Sequence, residues 1–214
     1  MKSSPVASAR PRRANSRIFR LAFYFFLALG LLTLGYSAYV VVDARAYQAY
    51  EQSKFEAMVE KGTGSPQLPP NLLVEGDVIG EIQVPRLRLK AIVVQGDSHT
   101  ILRRAVGHIP ETALPGKPGN VALAGHRDTF FRPLRNIRLG DAITLKTPTG
   151  DFQYLVESTQ IVPAANVEVL GATPLPTLTL ITCFPFDYIG AAPNRFVVRA
   201  RQFVLHSPEA HSVP

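Results

Sequence analysis

The longest apolar run of the chain lies near its N-terminus, over residues 21–42. This stretch, LAFYFFLALGLLTLGYSAYVVV, has no charged side chain, and Asp43 is the first acid after it. An α-helix of this length would extend about 33 Å, which matches a bilayer hydrocarbon core of about 30 Å. The pattern therefore predicts one transmembrane helix at 21–42.

A helix-compatible segment and then a break follow this run. Residues 44–61, ARAYQAYEQSKFEAMVEK, place apolar side chains near helical spacing. Residues 62–70, GTGSPQLPP, are rich in the glycine and proline that end helices. We interpret residues 43–74 as a stalk that continues the transmembrane helix, followed by a linker.

From about residue 75 the pattern changes to short alternating runs, which are typical of β-strands. Strands are predicted on both sides of Pro85 and at 120–126, and a PTG turn joins two further strands in a hairpin. TLTLITC and RFVVRARQFVL are the last two predicted strands. We expect a short helix in SHTILRRAVGHIP, with Ser98 as its N-cap, and a loop with at most one helical turn at 128–137.

Many short strands without regular helices between them predict an all-β fold. A closed or nearly closed β-barrel is favoured, because closure removes exposed strand edges. We expect this domain to span residues 75–205, with a flexible polar tail at 206–214.

The net charge of +7 comes from the N-terminus. Residues 1–20 hold six basic side chains and no acid, which leaves 17 basic and 16 acidic side chains for the rest of the chain. A near-neutral body without a basic stripe argues against nucleic-acid binding. By the positive-inside rule, residues 1–20 are expected to be a cytoplasmic tail of a single-pass cell-membrane protein, with the barrel outside the cytoplasm. The alternative, a cleaved signal peptide, has a shorter apolar region and a small-x-small site, for which only weak matches such as GYS at 35–37 exist.

Three residues at predicted strand ends carry the candidate chemistry: Cys183, His126 and Arg195. Cys183 is the only cysteine, so an internal disulfide is excluded. A thiol is strongly nucleophilic as its thiolate, a histidine can exchange a proton with an amine, and an arginine can stabilise an oxyanion. Each residue alone also has an ordinary interpretation, as a small core residue, a structural histidine or a surface arginine. Together, in an exported domain, they indicate acyl transfer.

Motifs around these residues resemble the sortase family. TLITC at 179–183, an arginine that opens the next strand, and GHRDT at 125–129 carry the resemblance. It covers roughly residues 75–203 and is greatest for class D sortases. It implies an eight-stranded barrel and a membrane-anchored cysteine transpeptidase. Such enzymes cleave a Leu-Pro-x-Thr signal after its threonine, hold the acyl group as a thioester and pass it to an amine, usually on a cell-wall precursor.

The resemblance also implies a role for each matching residue. Cys183 is the nucleophile, His126 protonates the leaving amine, and Arg195 binds substrate and stabilises the oxyanion. Thr182 would line the oxyanion site with its main chain and hydroxyl. The loop at 184–194 would form one wall of the substrate groove, with three aromatic side chains as apolar contacts: Phe184, Phe186 and Tyr188. These aromatics could instead only pack the loop against the domain.

The implied partners are secreted proteins that bear an LPxT-like sorting signal, an amine acceptor on a cell-wall precursor or surface protein, and the membrane. The mechanism requires no cofactor, and four acids are scattered without the spacing of metal ligands: Glu75, Glu81, Asp97 and Glu157. Pilus-building sortases carry a lid with an Asp-Pro-aromatic motif, and this chain has no Asp-Pro dipeptide. Attachment of proteins to the cell envelope is therefore favoured over pilin polymerisation.

Several alternatives stay open at this point. Asp128 is expected to orient its own turn rather than to complete a Cys-His-Asp triad. An exported cysteine peptidase with water as acceptor would use the same three residues, whereas an L,D-transpeptidase is disfavoured because its histidine lies close before its cysteine. A non-catalytic, membrane-tethered barrel predicts a buried and unreactive Cys183. Four further histidines are expected at the surface: His99, His108, His206 and His211.

Overall fold

The structure, a computed structural model of the 214-residue chain, describes residues 15–60 and 73–203, with side chains from residue 17 in the first range. The chain divides into two compact units, Met1–Asp43 and Ala44–Pro214. Several predicted features lie outside the described residues: the linker at 62–70, the tail at 206–214 and most of the basic N-terminus. Two of the four histidines expected at the surface, His206 and His211, lie outside them as well.

The apolar N-terminal run lies inside one long helix, α1, at Asn15–Glu60. Large apolar side chains along the run are exposed, for example Leu32 at 72%. The Thr33 and Ser37 hydroxyls each donate to a backbone carbonyl one turn earlier, at 2.9 Å. Because a bilayer core offers hydroxyls no water, this pairing within the helix suits a lipid environment. By length and composition α1 could cross a membrane, as predicted for residues 21–42.

The second unit contains a closed β-barrel of eight strands, which confirms the predicted fold class. The strands are β1 Val78–Val84, β2 Leu89–Gln95, β3 Val106–His108, β4 Asn120–Ala124, β5 Ala142–Thr147, β6 Gly150–Pro163, β7 Thr177–Phe184 and β8 Asn194–Phe203. They close in the order β1-β2-β3-β4-β7-β8-β6-β5. Neighbouring strands are antiparallel, except for the parallel pairs β2–β3 and β4–β7.

Short helical elements connect the strands. They are the helix α2 at His99–Leu102 and three 3-10 turns at Pro85–Leu87, Arg132–Asn136 and Glu168–Leu170. The Ser98 hydroxyl accepts a hydrogen bond from the Ile101 N–H, which confirms the predicted N-cap of α2. The β5–β6 hairpin and the single helical turn within 128–137 are also confirmed. β4 ends at Ala124, two residues before the predicted end.

The barrel interior is filled by alternate residues of each strand, because successive side chains in a strand point to opposite faces. On β7, Leu178 and Leu180 belong to the main apolar core, together with Val198 and Ala200 of β8. Ile181 packs instead into a separate apolar cluster on the outer face. This alternation sets which residues near the ends of β7 and β8 face outward.

The C-terminal part of α1 packs on the outer face of the barrel. Phe55 is 3% exposed and lies in an apolar cluster with Ile92 and Val94 of β2. Gln48 adds polar contacts, since its Nε2 donates to the Arg104 carbonyl at 2.7 Å and its Oε1 accepts from the Ile92 N–H at 2.9 Å. The predicted stalk is therefore helical as expected up to Glu60, but it also docks on the barrel.

The prediction that His108 lies at the surface is wrong. The predicted helix ends after one turn, and the chain then forms β3, where His108 is 1% exposed. Its ring lies within hydrogen-bond distance of Gln95 Oε1 at 2.9 Å and of the Ala113 carbonyl at 3.0 Å. Burial lowers the pKa of His108, and the Ala113 contact acts in the opposite direction. The imidazole therefore serves as a buried polar link between β3 and its neighbours.

Candidate active site

The three predicted catalytic residues come from the adjacent ends of β4, β7 and β8. β4 and β7 are parallel, with Ala124 opposite Ile181, and the Gly125 N–H continues the ladder to the Ile181 carbonyl at 3.1 Å. His126 and Cys183 each lie two residues beyond the Ala124–Ile181 pair, so the register brings them to neighbouring positions at one edge of the barrel.

Cys183 lies directly opposite Arg195 in the antiparallel β7–β8 ladder. Residues directly opposite each other in such a ladder share a face, with Cβ atoms about 4.5–5.5 Å apart. Alternation along β7 places Cys183 on the outer face with Ile181. Its side chain is half-buried, with no disulfide partner. This partial exposure fits a working thiol better than the fully buried cysteine that a non-catalytic barrel predicts.

His126 is held in a tight turn directly after β4. Its carbonyl accepts hydrogen bonds from the Phe131 N–H at 3.1 Å and the Thr129 N–H at 3.4 Å. Burial lowers the pKa of His126, the Asp128 carboxylate raises it, and the charges of His99 and Arg127 lower it further. Because an ordinary histidine has a pKa of about 6.5, His126 is mainly neutral at pH 7.

Asp128 acts on His126 through its charge and not through a bond. Within the described residues, no hydrogen bond joins the Asp128 carboxylate to the His126 ring, and Asp128 is exposed. The arrangement is not that of a hydrogen-bonded Cys-His-Asp triad.

His99 is a neighbour of His126 that the sequence analysis did not connect to the site. His99 is exposed, as predicted, at the first position of α2. Its ring centroid lies 5.9 Å from that of His126, in an edge-to-face arrangement. No signal in the sequence indicates this pair, because it arises from the β2–β3 crossover that carries α2 back toward the end of β4.

Arg195 is fixed by the turn that precedes β8. Its Nη1 donates to the carbonyls of Ala192 at 3.2 Å and Asn194 at 3.0 Å. These hydrogen bonds hold the half-buried guanidinium of Arg195 close to its own backbone, at the position of β8 that lies opposite Cys183. An arginine in this place has the permanent positive charge and the further N–H donors that could stabilise a group bound at the thiol.

Thr182 is almost completely buried, at 2% exposure, and alternation along β7 places its side chain toward the barrel interior. Its hydroxyl has no hydrogen-bond partner within the described residues. The main chain of Thr182, in contrast, runs directly into Cys183 at the barrel edge. A contribution of this residue to an oxyanion site is therefore best supported for its main chain.

The loop after Cys183 is tied down by Arg127, which the sequence analysis also missed. Arg127 donates to three carbonyls of this loop: to Pro185 at 3.1 Å, to Tyr188 at 2.6 Å and to Gly190 at 3.1 Å. Its guanidinium also lies 5.8 Å from the centroid of the Tyr188 ring. The signal was its place in the GHRDT motif, directly after His126.

The predicted substrate-contact aromatics take two different positions. The rings of Phe184 and Phe186 pack against each other and against Phe196, with centroid separations of 5.4–6.4 Å. Phe186 also packs against the main core and under the Arg135 guanidinium. Tyr188 is 47% exposed at the loop surface. The first two therefore help to pack the loop, whereas Tyr188 is available to a ligand.

A family model described as a sortase domain matches residues 82–203, more than half of the 214-residue chain. Sortase D of Bacillus subtilis is 27% identical over 189 residues, covering 83% of this chain and 96% of that protein. The structure of sortase C from Clostridium perfringens SM101 superposes with a TM-score of 0.57 at 26% identity, covering 79% of this chain and 97% of that chain. A Clostridium perfringens sortase D5 transpeptidase gives a TM-score of 0.62 at 24% identity, covering 76% and 99%, and supports the fold.

The matched residues contain His126, Cys183 and Arg195 as well as the barrel strands that bring them together. The relatives and the solved structures are sortases of several classes, including class D. The chain therefore belongs to the sortase family.

Proposed function

We propose that this sortase is a membrane-anchored cysteine transpeptidase that attaches secreted proteins to the cell envelope. It cleaves an LPxT-type sorting signal through a thioester on Cys183 and transfers the acyl group to an amine. The observation that carries the proposal is the meeting of three strand ends: a half-exposed Cys183 lies directly opposite Arg195 and in register with His126.

The proposed reaction begins with Cys183 as thiolate and His126 as imidazolium. The sulfur attacks the carbonyl carbon of the signal's threonine, and the C=O electron pair moves onto oxygen. Arg195 and the main chain at Thr182 stabilise that oxyanion. When the intermediate collapses, the leaving amine takes the proton from His126 and a thioester remains.

The second half of the reaction reverses these roles. The incoming amine attacks the thioester, loses its proton to His126 and forms the new amide, and Cys183 leaves as thiolate. Because burial lowers the pKa of His126, only a minor fraction of the enzyme carries the imidazolium at neutral pH.

The groove proposed for the sorting signal lies along the loop at 184–194, with Tyr188 as an exposed contact and with Phe184 and Phe186 in its wall. The Arg127 bonds and the Arg135–Asp187 ion pair of 2.6 Å hold this loop in place. A pre-ordered loop loses less entropy when the extended signal binds.

The membrane helix has a kinetic role in this proposal. A cytoplasmic basic tail at 1–20 and a span at 21–42 confine the barrel at 75–205 to the outer side of the membrane, where secreted substrates and a lipid-linked acceptor are concentrated. Tethering raises the effective concentration of both partners without any new contact. The proposed steps require no metal or organic cofactor.

Product analysis tests the transpeptidase activity against its closest rival, a cysteine peptidase. The full-length protein in neutral detergent micelles is incubated with LPxTG-type peptides, with and without a short amine. We expect the peptide–amine conjugate to form at the expense of the free acid, and Cys183→Ala to form neither product. Release of the acid alone, unchanged by added amine, would show a hydrolase instead.

A further inference from the structure

A concave site lined by arginines lies at the same end of the barrel as Cys183. β3 runs antiparallel to β4 and β2 runs parallel to β3, so β2 begins at the end where β4 and β7 finish. The Pro85–Leu87 turn before β2 and the Arg132–Asn136 turn after β4 form the walls of a pocket of about 560 Å³. Its charged lining residues are all arginines: Arg86, Arg88, Arg135 and Arg138.

Two carboxylates bind and orient two of these arginines. Asp141 accepts hydrogen bonds from Nε and Nη2 of Arg86, and Asp187 accepts one from Arg135 at 2.6 Å. Arg86 Nη2 also donates to the Asn136 carbonyl on the opposite wall, at 2.6 Å. These ion pairs fix the guanidinium planes of Arg86 and Arg135 at the pocket wall. Arg88 and Arg138 then determine the net charge of the pocket.

Arg88 and Arg138 form no ion pair with any residue in the part of the chain that the structure describes. Asp141 does accept a hydrogen bond from the backbone N–H of Arg138, at 2.8 Å, but its carboxylate is bonded to the Arg86 guanidinium. With four guanidinium groups against two carboxylates, the pocket keeps two positive charges without a bonded counter-charge.

The backbone of Arg88 is in a conformation that disfavours arginine. Its φ of 51° and ψ of 31° are left-handed, a region that glycine and asparagine adopt far more readily. Its N–H closes the turn by donating to the Pro85 carbonyl at 3.0 Å, which glycine would do equally well. A strained residue whose side chain the turn does not need indicates that this side chain has another use. Here the side chain lines the pocket.

We propose that this arginine pocket binds a phosphoryl group. Guanidinium forks match pairs of phosphate oxygens and stay charged at every physiological pH, and the two unpaired guanidinium groups match the double negative charge of a phosphate monoester. The volume accommodates a phosphate or diphosphate and the first atoms of the molecule that carries it. The source is either a free phosphate ester or a lipid headgroup. The lining residues of the pocket do not include Cys183, His126 or Arg195, so binding does not depend on the proposed transpeptidation.

Calorimetric titration of the full-length protein in neutral detergent micelles tests the proposal. The probes are inorganic pyrophosphate, inorganic phosphate and the water-soluble phosphodiester headgroup glycerophosphoglycerol, all at low and constant ionic strength. We expect saturable binding that is about tenfold weaker in Arg88→Gly and in Arg138→Ala, because each loses a charge-assisted fork. Cys183→Ala should bind like the wild type.

Two controls separate a binding site from a folding defect and from a general charge effect. Arg88→Gly suits the left-handed backbone, so its melting temperature should equal or exceed that of the wild type while binding falls. Arg103→Ala removes one exposed arginine outside the pocket and should change affinity less than twofold. Inorganic phosphate and the phosphodiester are the closest of the probes in charge, so tighter binding of inorganic phosphate identifies a free phosphate ester as the ligand, and tighter binding of the phosphodiester identifies a lipid headgroup. No saturable binding of any probe, or equal weakening by Arg103→Ala, would overturn the proposal.

Discussion

Gly125 separates β4 from His126, and a side chain at this position has no room. A Cβ on Gly125 would lie 2.7 Å from Cδ2 and 2.8 Å from Cγ of Phe131, whose side chain is fully buried. Carbon atoms pack at about 3.5–4.0 Å, so the ring or the His126 turn must move by about 1 Å in a Gly125→Ala variant.

Two measurable losses follow from this displacement. Overpacking a buried site costs about 1–3 kcal/mol, which lowers the melting temperature of a protein of this size by about 3–10 °C. A shift of about 1 Å in a catalytic group lowers the rate by about 100-fold. Circular dichroism melting and kcat/KM for conjugation of an LPxTG-type peptide to an amine measure both.

A second substitution shows whether the close approach to Phe131 is the cause. Phe131→Ala removes the Cγ and Cδ2 atoms that the new Cβ would meet, so Gly125→Ala/Phe131→Ala should be more stable and more active than the sum of the two single changes predicts. The reasoning is refuted by a Gly125→Ala variant with wild-type melting temperature and rate, or by strictly additive single and double changes.

Three further predictions concern the loop, the arginine and a buried histidine. Arg195→Lys should lower kcat/KM about 100-fold, because lysine lacks the planar fork of a guanidinium. The exposed control Arg201→Lys should keep the wild-type rate. Equal rates for the two variants would contradict the proposed role of Arg195. Arg127→Ala should raise the peptide KM about tenfold and open the 185–190 loop to limited proteolysis, since three loop carbonyls lose their donor; an unchanged cleavage pattern would argue against the clamp. Burial lowers the pKa of His108, so the folded state binds fewer protons than the unfolded chain just below pH 6.5. The free energy of unfolding should therefore fall as pH drops through this window, and His108→Gln should flatten the slope measured by urea titration at several pH values.

The strands, and the positions of His126, Cys183 and Arg195 at or near strand ends, could be predicted from the sequence because their signals are local. Alternation and turn residues identify most of the strands, and a single cysteine at the end of a β-branched run is visible without any partner. The β7–β8 pairing then follows from the short separation of these strands, and it places Cys183 opposite Arg195.

The contacts that the sequence did not reveal depend on long-range connections. β3 has only three residues, too few to show the alternation of a strand, and it pairs in parallel with β2. The sequence around His108 therefore predicts a helix and an exposed side chain, where the structure has a strand and a buried one. The approach of His99 to His126 and the Arg127 bonds to the loop result from barrel closure. The left-handed backbone of Arg88 lies within an alternating RLRLK run that gives no sign of it.

The central claim is a covalent intermediate on Cys183, and intact mass spectrometry tests it most directly. The full-length protein is mixed with an LPxTG-type peptide panel, quenched in acid and weighed, with and without a short amine. The account predicts a mass increase equal to the acyl portion of one peptide, absent in Cys183→Ala and consumed faster when the amine is present. No adduct with any peptide, combined with a Cys183 thiol that resists alkylation in the folded protein, would contradict it.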